Sequence, residues 1–253
     1  MMAPLAEPGA ATVEDAGVSL SWLAPAELSD AELARVLPWL TDEERIRHRA
    51  FVFERNQREY LATRGLVRRV LSRARMAPPG SWRFVKNEYG RPQLDPPCGL
   101  RFNLANHPSL VVCALREGEL EVGVDVEPLA RGGEVLEIAS TVFSPRELAA
   151  LRALPSAQQA ERAISLWTLK EAYIKARGMG LSLPLQEFSF VFSADGAEIQ
   201  FSAALPDDPA RWAFSWFDRR GHRIAVAHEV ARGGRPAQVR CPDEPDAALL
   251  AGA

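Results

Sequence analysis

The chain has 253 residues, 47% hydrophobic and 25% charged, with a formal net charge of −3. That composition suits one large globular domain or two small ones and argues against bulk affinity for nucleic acid. Cys98, Cys113 and Cys241 have no C-x-x-C spacing, which argues against a disulfide framework and a zinc site, and no apolar run reaches the length of a membrane span.

In chain order, residues 1–17 are rich in Ala, Pro and Gly, lack the basic and apolar regions of a signal peptide, and are expected to form a disordered tail. A cytoplasmic location is the corresponding expectation. Val18 to Leu23 reads as a strand, and Thr41-Asp-Glu-Glu44 is a capping box that opens a helical region. A long helix is predicted over Asn56 to Arg75. After the Pro78-Pro-Gly80 break, strands are predicted near Arg83 to Val85, Leu100 to Leu104, Leu110 to Leu115 and Glu121 to Val126.

The second half repeats this order of elements. A helix is predicted near Val135 to Thr141, and Ser144-Pro-Arg-Glu147 supplies a capping box with Pro at the first helical position. Ser156-Ala-Gln-Gln159 opens a helix running to about Arg177, and strands are predicted near Phe188 to Ser193, Trp212 to Asp218 and His222 to Val230. From Ala231 to Ala253, Gly-Gly, Pro and acidic residues without periodicity predict a flexible tail outside the fold.

Two segments carry candidate chemistry. In Val122-Gly-Val-Asp-Val-Glu127 the period of a strand puts Asp125 and Glu127 on one face, where they can share a cation. In the long second helix, Trp167, Glu171 and Lys175 follow at i,i+4 spacing, with Lys170 beside them and Gly178 and Gly180 just beyond. Carboxylate oxygens without nearby His or Cys suit a hard cation such as Mg²⁺. Taken alone, the D-x-E pair reads as a solvated strand face, and Glu171 with Lys175 as a surface ion pair.

Together, Val122-Gly-Val-Asp-Val-Glu127 and Trp167-Thr-Leu-Lys-Glu-Ala-Tyr-Ile-Lys175, followed by Gly178-Met-Gly-Leu181, resemble the paired signatures of the 4'-phosphopantetheinyl transferases. Glu88-Tyr-Gly-Arg-Pro92 and Phe102-Asn-Leu-Ala-Asn106 resemble two further family strings. The resemblance spans about residues 18 to 230 and favours the longer branch, similar to activators of surfactin-type synthetases. It implies an α+β monomer: a pseudo-dimer of two similar halves, 18–118 and 119–230, each a small antiparallel sheet packed on a long helix.

The implied reaction moves the phosphopantetheine arm of coenzyme A to a serine of an acyl, peptidyl or aryl carrier domain, releasing adenosine 3',5'-bisphosphate. On this reading Asp125, Glu127 and Glu171 hold Mg²⁺, with Mn²⁺ a substitute, and Lys170 and Lys175 add positive charge. Glu171 is the first choice of base, with Glu127 its competitor. The stretch Arg45 to Arg75 has ten arginines and two acidic residues, Glu54 and Glu59. Most of these arginines read as a solvated face, with Arg45 and Arg47 as phosphate contacts. Lys86 and Arg91 resemble the family's basic contacts beside Gly90.

One departure stands out: Asn106 occupies the place of the family's His, and His107 is displaced by one position. His107 either takes over that phosphate contact or is a turn residue before Pro108. Cys113 and Trp167 read as packing residues, and the segment from Arg131 to Ile138 as a docking site for the carrier. The alternatives are a noncatalytic module binding coenzyme A or the carrier, another Mg²⁺-dependent nucleotidyl or phosphoryl enzyme, and a basic nucleic-acid binder, the last weakened by the absence of an aromatic platform motif.

Overall fold

The computed structural model describes residues 17–194, 196–246 and 250. Apart from Gly17, the expected disorder of residues 1–17 falls outside the described residues. Strand β1 (Val18–Leu23) leads into two short helices, α1 (Asp30–Ala34) and α2 (Asp42–Arg49), and then α3 (Glu54–Arg75). Both short helices start at reciprocal capping boxes, Ser29 with Glu32 and Thr41 with Glu44, so two orphan amides are satisfied at each start. Strands β2 (Phe84–Lys86), β3 (Pro92–Leu94), β4 (Leu100–His107) and β5 (Leu110–Glu117) follow.

The later chain runs through β6 (Val122–Pro128), α4 (Gly132–Glu137), α5 (Ala139–Val142), α6 (Pro145–Arg152) and α7 (Ser156–Arg177). It ends in β7 (Phe188–Ser193), β8 (Gly196–Phe201), β9 (Trp212–Arg219), β10 (His222–Glu229) and the short β11 (Val239–Arg240). One sheet has the order β11-β1-β5-β4, a second the order β6-β10-β9, and β2-β3 and β7-β8 are separate hairpins. The architecture is mixed α+β, with small sheets that are antiparallel except where β11 joins β1 in parallel. In each part a single strand, short helices, a 22-residue helix, a hairpin and two longer strands occur in the same sequence.

Strand β5 explains the unbroken apolar run of the sequence. Leu110, Val112 and Ala114 enter a layer shared with Val122, Val124, Val126, Ile224 and Val226, while Val111, Cys113 and Leu115 pack with Leu66 and Val67 of α3. A strand buried on both faces has no polar side to alternate with. Cys113 is wholly buried and its thiol is pushed up by that burial, in keeping with a packing role.

Strand β6 does alternate. Its valines enter the shared layer, and Gly123 and Asp125 point the other way, toward α7. A methyl group on Gly123 would lie 2.2 Å from the Ala172 carbonyl oxygen and 2.3 Å from the Ala176 nitrogen. The glycine therefore sets how closely the helix crosses the strand.

Several boundaries differ from expectation. The helix predicted near Val135 to Thr141 is two helices, interrupted at Ile138, whose φ of −99° and ψ of 4° depart from helical values. Helix α7 starts at Ser156 as expected but is preceded by Pro155, with no side-chain cap. The hairpin strand β8 and helix α1 were not anticipated. The segment after Ala231 is also corrected: β11 pairs with β1, the Trp22 indole donates to the Pro242 carbonyl at 2.9 Å, and Leu250 is buried among residues of α3 and its neighbours. A two-residue strand and one anchoring leucine leave no periodic signal.

Gly123→Ala is expected to cost about 3 kcal/mol in urea unfolding, because the added methyl meets helix backbone rather than a movable side chain.

Candidate active site

Helix α7 and strand β6 bring the predicted acidic residues together. Glu171 and Lys175, one turn apart, share a helix face, and Gly178 ends the helix in the left-handed conformation at φ 66°. Lys175 Nζ lies 2.6 Å from Asp125 Oδ1. Glu127 accepts the Trp167 indole N–H at 3.0 Å on Oε1 and the Arg131 guanidinium at 2.5 Å on Oε2. Trp167 thus does more than pack, because it fixes one oxygen of Glu127.

Two carboxylate oxygens, Asp125 Oδ2 and Glu171 Oε1, are buried without a hydrogen-bond partner among the described residues. Burial, and then the charge of Asp125, push the Glu171 carboxyl up to about 7 against the pull of Lys175. Asp125 is likewise raised by burial and pulled back by Lys175. Both shifts have the cause expected when an anion loses water faster than it gains partners.

Among the described residues, no three His, Cys, Asp or Glu side chains stand as a ready cation-ligand group. Both Glu127 oxygens are engaged, and one Asp125 oxygen is held by Lys175. The two orphaned oxygens nevertheless fit a hard cation, which would give partners to acceptors otherwise left desolvated.

Two adjoining pockets extend from this point. One, of about 290 Å³, is lined by Tyr89, Gly90, Asn103, Glu171 and Lys175 among others. The second, of about 510 Å³, shares Gly90 and Pro92 with it and carries Arg47, Arg64, Arg83 and Lys86. Tyr60 also faces the second pocket, and its buried hydroxyl has no partner among the described residues. A larger cavity, about 750 Å³, lies near Cys241 and includes none of the acidic set.

Of the expected contacts, Arg47, Lys86, Arg91 and Lys175 reach these pockets, and Lys170, Arg45, Asn106 and His107 are redirected. Lys170 is wholly buried: its ammonium pairs with Glu147 at 2.9 Å and donates to the Leu185 and Phe188 carbonyls. Five residues of helix separate Lys170 from Lys175 by about 140°, which turns it into the core. Arg45 is turned to Asp42 at 2.8 Å and to the Leu37 carbonyl. Asn106 donates to Glu59 on α3. His107 lies on the opposite side of β4 from Asn106; its Nδ1 is 2.7 Å from Ser109 Oγ, which in turn is 2.7 Å from His222 Nε2.

Arg91 lines the smaller pocket, yet its guanidinium is spent on protein groups. It donates to the Ala176 carbonyl at 2.9 Å and the Val122 carbonyl at 3.3 Å, and pairs with Glu121 at 2.6 Å. Asn87 adds a bond to the Gly178 carbonyl at 2.8 Å while its own oxygen accepts the Tyr89 and Arg91 amides. Together they fasten the β2-β3 hairpin to the end of α7. Sequence reading missed Asn87, Arg64, Arg83 and Asn103. Arg64 had one usable signal, its spacing of four from Tyr60 on the same helix face.

The model of the 4'-phosphopantetheinyl transferase superfamily matches residues 121–227. The 4'-phosphopantetheinyl transferase Sfp of Bacillus subtilis is 34% identical over 203 residues, covering 79% of this chain and 86% of its own. The chain belongs to the 4'-phosphopantetheinyl transferase superfamily. A second member of that superfamily, HetI of Nostoc sp., is 30% identical over 197 residues, 74% of this chain and 82% of its own. A holo-(acyl-carrier-protein) synthase from Bacillus anthracis, solved with coenzyme A, has a partial likeness: TM-score 0.37 and 17% identity over 44% of this chain and 97% of that one.

Lys170→Met is expected to destabilise the protein by about 3–5 kcal/mol in urea unfolding, since it leaves Glu147 charged and buried. The folded variant is expected to keep wild-type affinity for coenzyme A in calorimetric titration.

Proposed function

We propose that this chain transfers the 4'-phosphopantetheine arm of coenzyme A to a serine of an acyl, peptidyl or aryl carrier domain and releases adenosine 3',5'-bisphosphate. The observation that carries the reading is the meeting, at Gly90 and Pro92, of a cleft lined by Glu171, Arg91 and Lys175 with a pocket carrying Arg47, Arg64, Arg83 and Lys86. The substrate is a pyrophosphate with a further phosphate on its ribose, and basic side chains in both pockets suit that clustered negative charge.

Arg47, Arg64, Arg83 and Lys86 hold phosphate oxygens, the guanidinium forks giving paired hydrogen bonds. With Asn106 turned to Glu59, the ribose phosphate falls to this basic pocket rather than to the end of β4. Lys175, at the edge of the cleft, faces the pyrophosphate. Asp125, Glu127 and Glu171 would hold Mg²⁺, with Mn²⁺ able to replace it; when bound, it offsets charge on the pyrophosphate oxygens.

The serine oxygen bonds to the phosphorus bearing pantetheine, the bridging P–O bond breaks, and its electron pair leaves with adenosine 3',5'-bisphosphate. Glu171 takes the serine proton. Its orphaned oxygen and raised affinity for a proton support it over Glu127, whose two oxygens already accept from Trp167 and Arg131. The carrier docks around Arg131 to Ile138, where Ile138 is 44% exposed and offers apolar contact beside charge.

The matching element order of the two parts supports a monomer built as a pseudo-dimer, with halves near 18–118 and 119–230. No helix among the described residues is long and apolar enough to cross a membrane, and the cytoplasm is the proposed location.

Intact-mass spectrometry of apo-carrier domains, incubated with the protein, coenzyme A and Mg²⁺, tests the reading. One added phosphopantetheine arm per carrier is expected, abolished by chelation. Glu171→Gln is expected to slow transfer about 10²-fold or more with little change in coenzyme A affinity. Binding of coenzyme A with no transfer to any carrier would replace this reading with that of a noncatalytic module.

A further inference from the structure

We propose that Arg131 is an internal competitor for Glu127: the cation-free chain keeps a two-carboxylate site and completes a three-carboxylate site only when the Arg131 guanidinium moves away. The proposal rests on reading Asp125, Glu127 and Glu171 as cation ligands.

The three carboxylates are not held alike. Lys175 takes Oδ1 of Asp125 and leaves the buried Oδ2 without a partner among the described residues. Glu171 likewise keeps Oε1 available. Glu127 has no oxygen to spare, because Oε1 accepts from the Trp167 indole at 3.0 Å and Oε2 from Arg131 at 2.5 Å. The two donors differ in kind. The indole N–H is neutral and leaves a lone pair on Oε1, whereas the guanidinium brings a full positive charge to the position a cation would need.

Arg131 also has somewhere to go. It lies in the turn before α4, four residues beyond Glu127, and its Nε is 3.0 Å from Glu134 Oε2. Its side chain is 39% exposed, that of Glu134 69% and that of Glu127 only 14%, so the arginine is shared between a sheltered acid and one largely in water. A divalent ion that takes the Glu127 oxygen leaves the guanidinium its bond to Glu134 and its access to water. Lys175 differs in this respect, since it can stay on Asp125 while the other oxygen is used.

The test is Mn²⁺ titration of the full chain by calorimetry, without coenzyme A or carrier. Arg131→Gln is expected to tighten Mn²⁺ binding by at least about three- to fivefold, the lower end for an ion pair with one partner exposed, and the gain is expected to vanish when Glu127→Gln is added. Unchanged or weaker binding in Arg131→Gln overturns the proposal, as does a gain that survives Glu127→Gln or a failure of both wild type and variant to bind. Asp125→Asn with Glu171→Gln tests the ligand reading separately: Mn²⁺ binding that survives both changes refutes that reading, whatever the effect of Arg131.

Discussion

Helix α7 crosses strand β6 so closely that position 123 has no room for a methyl group, and the candidate chemistry depends on that crossing. The strand turns its valines into the apolar layer it shares with β5 and β10, which leaves Asp125 on the side toward the helix. The helix ridge that meets it carries Ala172 and Ala176 at the contact, and Glu171 and Lys175 directly precede them in sequence. Small residues where the backbones touch allow charged residues nearby to approach within hydrogen-bond distance, as Lys175 and Asp125 do at 2.6 Å.

The same closeness makes the acids costly to ionise. Asp125 is only 6% exposed, and Glu171 is shifted to about 7 first by burial and then by its acidic neighbour. A cluster of partly unpartnered acids is poor structure and useful chemistry, and it contrasts with the buried lysine beside it. Lys170, next in sequence to Glu171, has Glu147 and two carbonyls as partners. The Lys170 ammonium is fully partnered, whereas Glu171, which lines a pocket, keeps one oxygen open.

This contrast explains what could be read from sequence. Strands and helices followed from periodicity and caps: β1 and β7 match their predicted limits, and the Thr41 and Ser144 boxes form as expected. The acidic set followed from period-2 and i,i+4 spacing, because those residues lie on two regular elements. The basic residues did not follow, because an arginine can serve three purposes with one sequence signature. Between positions 45 and 75, Arg45 answers Asp42, Arg58 answers Asp30, Arg68 lies buried on Glu44, and Arg64 faces the pocket. Only tertiary contacts separate these fates. The segment after Ala231 was unreadable for a related reason: one buried leucine and one borrowed strand edge give composition nothing to register.

Arg91 illustrates how a motif can persist while its use shifts. Its place beside Gly90 suggests a phosphate contact, yet its bonds run to Ala176, Val122 and Glu121. Those partners are the last turn of α7 and the entry to β6, the two elements whose crossing places the acids. Gly178 completes the arrangement, since a side chain there would meet Arg91 atoms at 3.0 Å in a backbone conformation that already favours glycine. The hairpin that forms a wall of both pockets is thus fastened to the element that carries Glu171 and Lys175. These contacts hold the wall of the two pockets against the helix that carries Glu171 and Lys175, although the two come from distant parts of the chain.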